Sequence, residues 1–276
     1  MNNWQSTEVN LGEVRVHITR TGGDKPPLVL AHGVTDDGLC WTPVARALEG
    51  ERDVIMVDAR GHGRSSAPEH GYDPLTQGRD LAGVITALGL NRPPVLGHSM
   101  GAASTLGLAA QRPDLPGAIL LEDPPSWWQA PKADDPATAE RMRGMRQWLE
   151  SLKTQTREAL IAQERVNSPR WSDEELGPWA DSKLRVSQNV TRIFEERFME
   201  KLGWPDALKV VTCPALLIKA DPTLGAIVTD EAAAELATAI PHLEVVTIAG
   251  AGHSIHRDAF ADYVAAVRAF LTRAGV

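Results

Sequence analysis

Cysteine is scarce in this 276-residue chain, with Cys40 and Cys213 the only two. A scaffold stapled by disulfides is cysteine-dense, so that class is excluded, and two reduced, buried thiols packing as small hydrophobes are expected instead. No run of about 18 or more apolar residues occurs, and Met1–Asn10 is polar, without the basic start and apolar core of a secretory signal. Those absences predict a cytoplasmic protein with no membrane partner. Positive charge is also in deficit: 28 Lys and Arg against 36 Asp and Glu leave a net charge of −8 and a pI near 5.5. Affinity through phosphate neutralisation needs the opposite balance, so no nucleic acid partner is expected. Eight histidines are present, yet no H-x-H-x-D or H-E-x-x-H cluster offers a ready ligand set, and neither a metal nor another cofactor is predicted.

The residues that are present describe a compact globular protein, 43% hydrophobic and 23% charged. A chain of this length buries roughly three quarters of its unfolded surface, enough for a core without staples. Short apolar runs recur at Leu28–Ala31, Val54–Val57, Val95–Leu96, Ala118–Leu121, Ala215–Ile218 and Val245–Ile248, and read as strands buried on both faces. Between them, Leu75–Leu90, Met100–Gln111, Asp230–Ile240 and Ala259–Leu271 repeat apolar residues at three-to-four spacing, the period of an amphipathic helix. Such alternation predicts an α/β fold, with a mainly parallel, doubly wound sheet. Ser6–Val9 and Val14–Thr19 read as a leading antiparallel hairpin turning at Gly12.

The alternation fails between Pro124 and about Pro205, which holds six of the eight tryptophans and helical patterns around Thr138–Lys153 and Asp181–Lys201. Residues 1–123 and 206–276 are therefore expected to form the core, and 124–205 a helical cap insertion. Because segments inserted over the carboxyl ends of strands form ligand pockets, Trp127 and Trp128 are the candidate substrate-binding residues.

The sharpest local signal is Gly97–His98–Ser99–Met100–Gly101, which follows one apolar run and precedes an alanine-rich helix. A serine on such a strained strand-to-helix turn lifts its hydroxyl above the sheet, and the flanking glycines let neighbouring backbone approach. The helix starting there points free N–H groups at a developing negative charge.

With this motif the sequence resembles the α/β-hydrolases over nearly its whole length. His32–Gly33 and Trp41 stand in an H-G-x(7)-W arrangement, Asp58–Ser65 matches D-x-R-G-x-G-x-S, and Gly250–Ala251–Gly252–His253 resembles the family's histidine loop. The resemblance implies Ser99 as nucleophile, His253 as general base, and an oxyanion hole formed by the backbone N–H groups of Val34 and Met100. His98 and His32 are expected to pack beside the elbow or orient loops. His256 competes for the base role but reads as the start of a helix.

The acid departs from the commoner pattern. Family members usually carry it several residues after the strand read here as Ala215–Ile218, where this chain offers only Asp221. A second family position, used by haloalkane dehalogenases and some small esterases, lies 24 residues beyond the nucleophile, and Asp123 stands there. Asp123 is therefore the expected acid, with Asp221 the alternative and Glu122 a remote third.

A serine nucleophile argues against dehalogenase and epoxide hydrolase chemistry, which use a carboxylate. The expected activity is a serine hydrolase cleaving a small carboxylic ester or lactone through an acyl-enzyme. One alternative is a carbon–carbon bond hydrolase, for which Arg170, Arg185 and Arg192 could bind a carboxylate. Another is a ligand receptor on a hydrolase scaffold. Oligomeric state is left open.

Overall fold

The computed structural model describes residues 4–126, 136–194 and 206–276. The strands, in chain order, are β1 (Gln5–Asn10), β2 (Arg15–Arg20), β3 (Pro27–Ala31), β4 (Asp53–Val57), β5 (Pro94–His98), β6 (Ala118–Glu122), β7 (Ala215–Lys219) and β8 (Leu243–Thr247). They form one sheet in the order β1-β2-β4-β3-β5-β6-β7-β8. The β1–β2 and β2–β4 pairs are antiparallel, and every pair from β4 to β8 is parallel. The leading hairpin turns through Gly12, whose φ of 88° suits a residue without Cβ.

Alternation along each central strand assigns its side chains to opposite faces. Leu120, Leu216 and Ile218 pack with Val44 and Leu48 of α1 (Thr42–Leu48) and with Val264 and Phe270 of α9 (Phe260–Ala274). Ile119, Leu121 and Leu217 face Ala102 and Leu106 of α3 (Met100–Gln111), and Ala232 and Leu236 of α7 (Asp230–Ala239). On the far half of that face, Leu81 and Ile85 of α2 (Pro74–Ala87) cover Val29, Ile55 and Val95. Helix α2 starts at Asp73, whose carboxylate accepts from the N–H groups of Leu75 and Thr76, with Pro74 at the first helical position. Both cysteines are buried and free. No described helix is long and apolar enough to cross a membrane.

One sequence expectation about the last strand needs correction. The last strand spans Leu243–Thr247 rather than Val245–Ile248, and it is not buried on both faces: Glu244, Val245 and Thr247 are exposed because β8 is the sheet edge. The helix expected over Ala259–Leu271 is found as α9, starting one residue later and running three further, and a separate short helix, α8 (Ile255–Asp258), precedes it across Ala259.

Between β6 and β7 the described residues form α4 (Pro136–Leu152), α5 (Arg157–Asn167), α6 (Asp173–Arg185) and 3-10 turns over Gln188–Phe194 and Asp206–Val210, with no strand. The helical pattern read from Asp181 onward is interrupted, since α6 ends where Val186 turns extended at ψ 134°. Helix α6 carries Asp173, Glu174 and Glu175 in its first turn and Lys183 and Arg185 in its last, an arrangement that complements its dipole.

Candidate active site

Ser99 occupies the one-residue junction between β5 and α3 with φ 51° and ψ −114°, a backbone conformation that a non-glycine residue adopts only when its surroundings impose it. Its N–H donates to the Glu122 carbonyl (2.9 Å), and its carbonyl accepts from Ala103 (3.0 Å). The flanking glycines make this approach possible. A Cβ on Gly97 would come within 2.3 Å of the Gly101 carbonyl oxygen, and one on Gly101 within 2.1 Å of the Ala31 oxygen.

The serine hydroxyl lies 3.0 Å from Nε2 of His253, and Nδ1 of the same ring lies 2.6 Å from Oδ2 of Asp123. Asp123 follows β6 directly, is fully buried, and has φ 40°. Its two oxygens accept from the backbone N–H groups of Ile227 (2.8 Å) and Val228 (2.9 Å). These two donors fix the carboxylate's orientation toward the imidazole. They also bear on the tautomer: an Asp123 that accepts draws the ring proton to Nδ1, which leaves Nε2 as an acceptor facing the Ser99 hydroxyl.

Asp221 is engaged elsewhere. Its carboxylate caps the turn Pro222–Leu224, accepting from the N–H (2.8 Å) and hydroxyl (2.7 Å) of Thr223, and these two bonds lower its pKa. Glu122 points away from the serine and forms a buried pair with His256, accepting from its Nδ1 (2.8 Å) and its backbone N–H (2.9 Å). Burial alone would raise the Glu122 carboxyl, but the His256 ring, the His98 ring and the His256 N–H outweigh it and bring the pKa to about 2. His256 opens α8, as the sequence suggested, and packs against Trp41 at 4.5 Å between ring centroids.

His98 and His32 link segments beside the serine turn. His98 donates through Nε2 to the His253 carbonyl (3.0 Å), and burial, with smaller contributions from neighbouring rings, lowers its pKa to about 3. His32 accepts the Ala59 N–H at Nε2 (3.0 Å), which places its proton on Nδ1 facing the Gly33 carbonyl (2.8 Å). Asp58, first residue of the D-x-R-G-x-G-x-S turn, accepts from Gly38 (2.7 Å), Arg64 (2.8 Å) and His17 Nδ1 (2.8 Å), which ties that turn to the loop after β3.

That loop carries Val34. A bond from the Asp36 N–H to the Gly33 carbonyl (3.1 Å) closes the turn around it. Among the described residues, the N–H groups of Val34 and Met100 have no acceptor, and Met100 is the first residue of α3, at the positive end of its dipole.

Sequence reasoning did not foresee a buried ionic cluster around Asp36, two residues further on. Asp36 accepts from Lys183 Nζ (2.6 Å) and from Arg257 (2.9 Å), and Arg257 also reaches Glu175 (3.3 Å). All four residues are buried. The adjacent aspartates after His32–Gly33 were its only trace in the sequence. Of the arginines considered as carboxylate ligands, Arg185 pairs with Asp37 (3.0 Å), Arg170 donates to the Gly250 carbonyl (2.6 Å), and Arg192 lies in the 3-10 turn Gln188–Phe194. Trp127 and Trp128 lie outside the described residues. No three described His, Cys, Asp or Glu side chains converge as a metal-ligand set.

Residues 28–266 match the Alpha/beta hydrolase family. The chain is 28% identical over 255 residues to 2-(acetamidomethylene)succinate hydrolase of Mesorhizobium japonicum, covering 91% of this chain and 89% of that protein. It is 28% identical over 267 residues to N-formylmaleamate deformylase of Pseudomonas putida, covering 95% of each. A crystal structure of E-2-(acetamidomethylene)succinate hydrolase superposes with a TM-score of 0.77 at 22% identity, covering 98% of this chain and 100% of that one, a likeness of fold.

Proposed function

Because this chain belongs to the alpha/beta hydrolase family, we propose that it is a serine hydrolase cleaving a small carboxylic ester or lactone through an acyl-enzyme. The observation that carries this reading is the continuous hydrogen-bonded relay from Asp123 through His253 to Ser99. Ser99 Oγ attacks the acyl carbon while its proton passes to His253 Nε2, and the Asp123 carboxylate balances the imidazolium. The carbonyl oxygen becomes an oxyanion and is met by the N–H groups of Val34 and Met100, whose orientation is set before reaction. Collapse expels the leaving group, which takes the proton from His253. Water then repeats the sequence on the acyl-Ser99 ester and releases the acid. The core of residues 1–123 and 206–276 carries this machinery, and 124–205 acts as the cap shaping the acyl pocket.

A second reading exchanges the scissile oxygen for nitrogen. The two near-full-length relatives are named for an acetamido and an N-formyl compound, each bearing a carboxylate, which favours an acyl–nitrogen bond in a small carboxylate. The relay serves either, since His253 protonates the departing atom in both. The carbon–carbon reading is weakened because Arg170 and Arg185 are engaged with protein groups.

The test is acid-quench mass spectrometry during turnover of 4-nitrophenyl acetate, a small lactone, and an N-formyl or N-acetyl enamide bearing a carboxylate. An acyl adduct on the peptide containing Ser99 with at least one of them, together with turnover beyond one equivalent, supports the hydrolase. The panel's kcat/KM ranking decides between oxygen and nitrogen. Binding without turnover would leave the ligand receptor as the better description.

A further inference from the structure

The turn that carries the Val34 N–H is held from α6, a helix that contributes nothing to the relay. Thr35, next to Val34, has φ 70°, which a β-branched residue adopts only under constraint. Its N–H faces His62 Nε2 (3.4 Å), and its carbonyl accepts from Lys183 Nζ (3.2 Å). The same ammonium reaches Asp36 Oδ1 (2.6 Å) and Ser182 Oγ (3.3 Å), and sits 5.0 Å from the centroid of the Trp179 ring. Lys183 is 2% exposed, and Asp36 is 5% exposed. A lysine this deep is unusual without a task, because burying the charge has to be offset by well-made partners.

From this geometry we infer that Lys183 is a positioning residue for the oxyanion turn: it pins the strained Thr35 carbonyl and the Asp36 carboxylate, so that the Val34 N–H points at the oxyanion only while α6 is docked. The inference rests on the serine hydrolase reading above. Its neighbours sharpen it. Asp36 has a second cation, Arg257, from α8, four residues after His253. The two cations and the two acids, Asp36 and Glu175, balance in charge, so removal of Lys183 leaves a buried excess of negative charge beside the oxyanion turn. Negative charge near a developing oxyanion opposes it, and a relaxed Thr35 turns the adjacent N–H away. Both effects act on the transition state rather than on substrate binding.

The experiment compares wild type, Lys183→Met, Thr35→Gly and the double variant in steady-state kinetics on an activated ester. It also measures affinity for a phenylboronic acid, whose tetrahedral adduct with Ser99 places an oxygen where the oxyanion forms. Arg157→Met, which breaks the exposed-side Arg157–Asp181 pair between α5 and α6, serves as the control for losing an ion pair among these helices. Lys183→Met is expected to lower kcat by about 10- to 100-fold and boronate affinity by a similar factor, with KM changed less than about threefold. Glycine accepts a positive φ without strain, so Thr35→Gly should restore part of kcat in the Lys183→Met background. Unchanged kcat and boronate affinity in Lys183→Met, a loss confined to KM, or strictly additive effects in the double variant would overturn the inference. If Lys183→Met does not fold, Lys183→Gln, which retains a donor for the Thr35 carbonyl, carries the same comparison and is expected to show a smaller loss. Wild type that neither binds the boronate nor acylates at Ser99 would instead overturn the hydrolase reading.

Discussion

The carboxylate of Asp123 lies 2.6 Å from Nδ1 of His253, across 130 residues of chain, and a third loop, the one after β7, supplies the N–H groups of Ile227 and Val228 to that carboxylate. The segment where many relatives keep their acid thus serves here as a pair of donors to an acid from the neighbouring strand. Asparagine at position 123 would keep the shape but present an amide in place of the charge. Asp123→Asn should lower kcat by about ten-thousand-fold, whereas Asp221→Asn, which loses only a turn cap, should retain at least about a tenth of the activity, a loss of roughly 1.4 kcal/mol or less. Kinetics on proteins matched by circular dichroism check this, and the reverse ranking would refute the assignment of Asp123.

Ser99 should be the single residue labelled by a fluorophosphonate, because its hydroxyl is 3.0 Å from an imidazole nitrogen free to take the proton. Peptide mapping should find the adduct on the segment containing Ser99, and Ser99→Ala should abolish both labelling and turnover. Full activity in that variant would remove the mechanism.

The two histidines of the His253 loop should fail in different ways. His253→Ala removes the base and should lower kcat by several orders of magnitude with the fold intact. His256→Ala strips a fully buried Glu122 of its partner, which should cost about 3–5 kcal/mol of stability. Denaturant melts beside initial rates separate the outcomes. A stable, inactive His256→Ala would return it to contention as the base.

Acid should destabilise the protein from near pH 6.5 downward. His62 and His98 are buried with pKa values lowered from 6.5 to about 3, so below pH 6.5 the unfolded chain binds protons that the folded protein refuses. Their stability contribution is full above 6.5 and is lost as pH falls toward 3. Glu122, lowered from 4.5 to about 2, adds a further loss below 4.5. Asp37, Asp80 and Glu175 are raised, chiefly by burial, and act with the opposite sign, so a difference measurement is the clean one. Between pH 6 and 5 the slope of unfolding free energy against pH should be shallower in His62→Gln than in wild type by about 1.4 kcal/mol per pH unit, one proton's worth. Identical slopes would show that His62 titrates normally in the folded state.

The sequence by itself determined the frame. Runs of up to four apolar residues separated by helical periods admit little besides a parallel sheet covered on both sides, and glycines two places either side of Ser99 mark a turn where backbone meets backbone within Cβ distance. Local patterns misjudged β8 because periodicity reports hydrophobicity and not whether a strand has one neighbour or two. What only the tertiary structure decided were relations between distant residues of common type. Asp221 caps its own turn while Asp123 meets His253, Glu122 is spent on His256, and Lys183 lies inside against Asp36. A carboxylate or an ammonium carries no mark in sequence of the partner it will have, because its charge state and orientation are set by burial and by whichever donors the finished fold brings within about 3 Å.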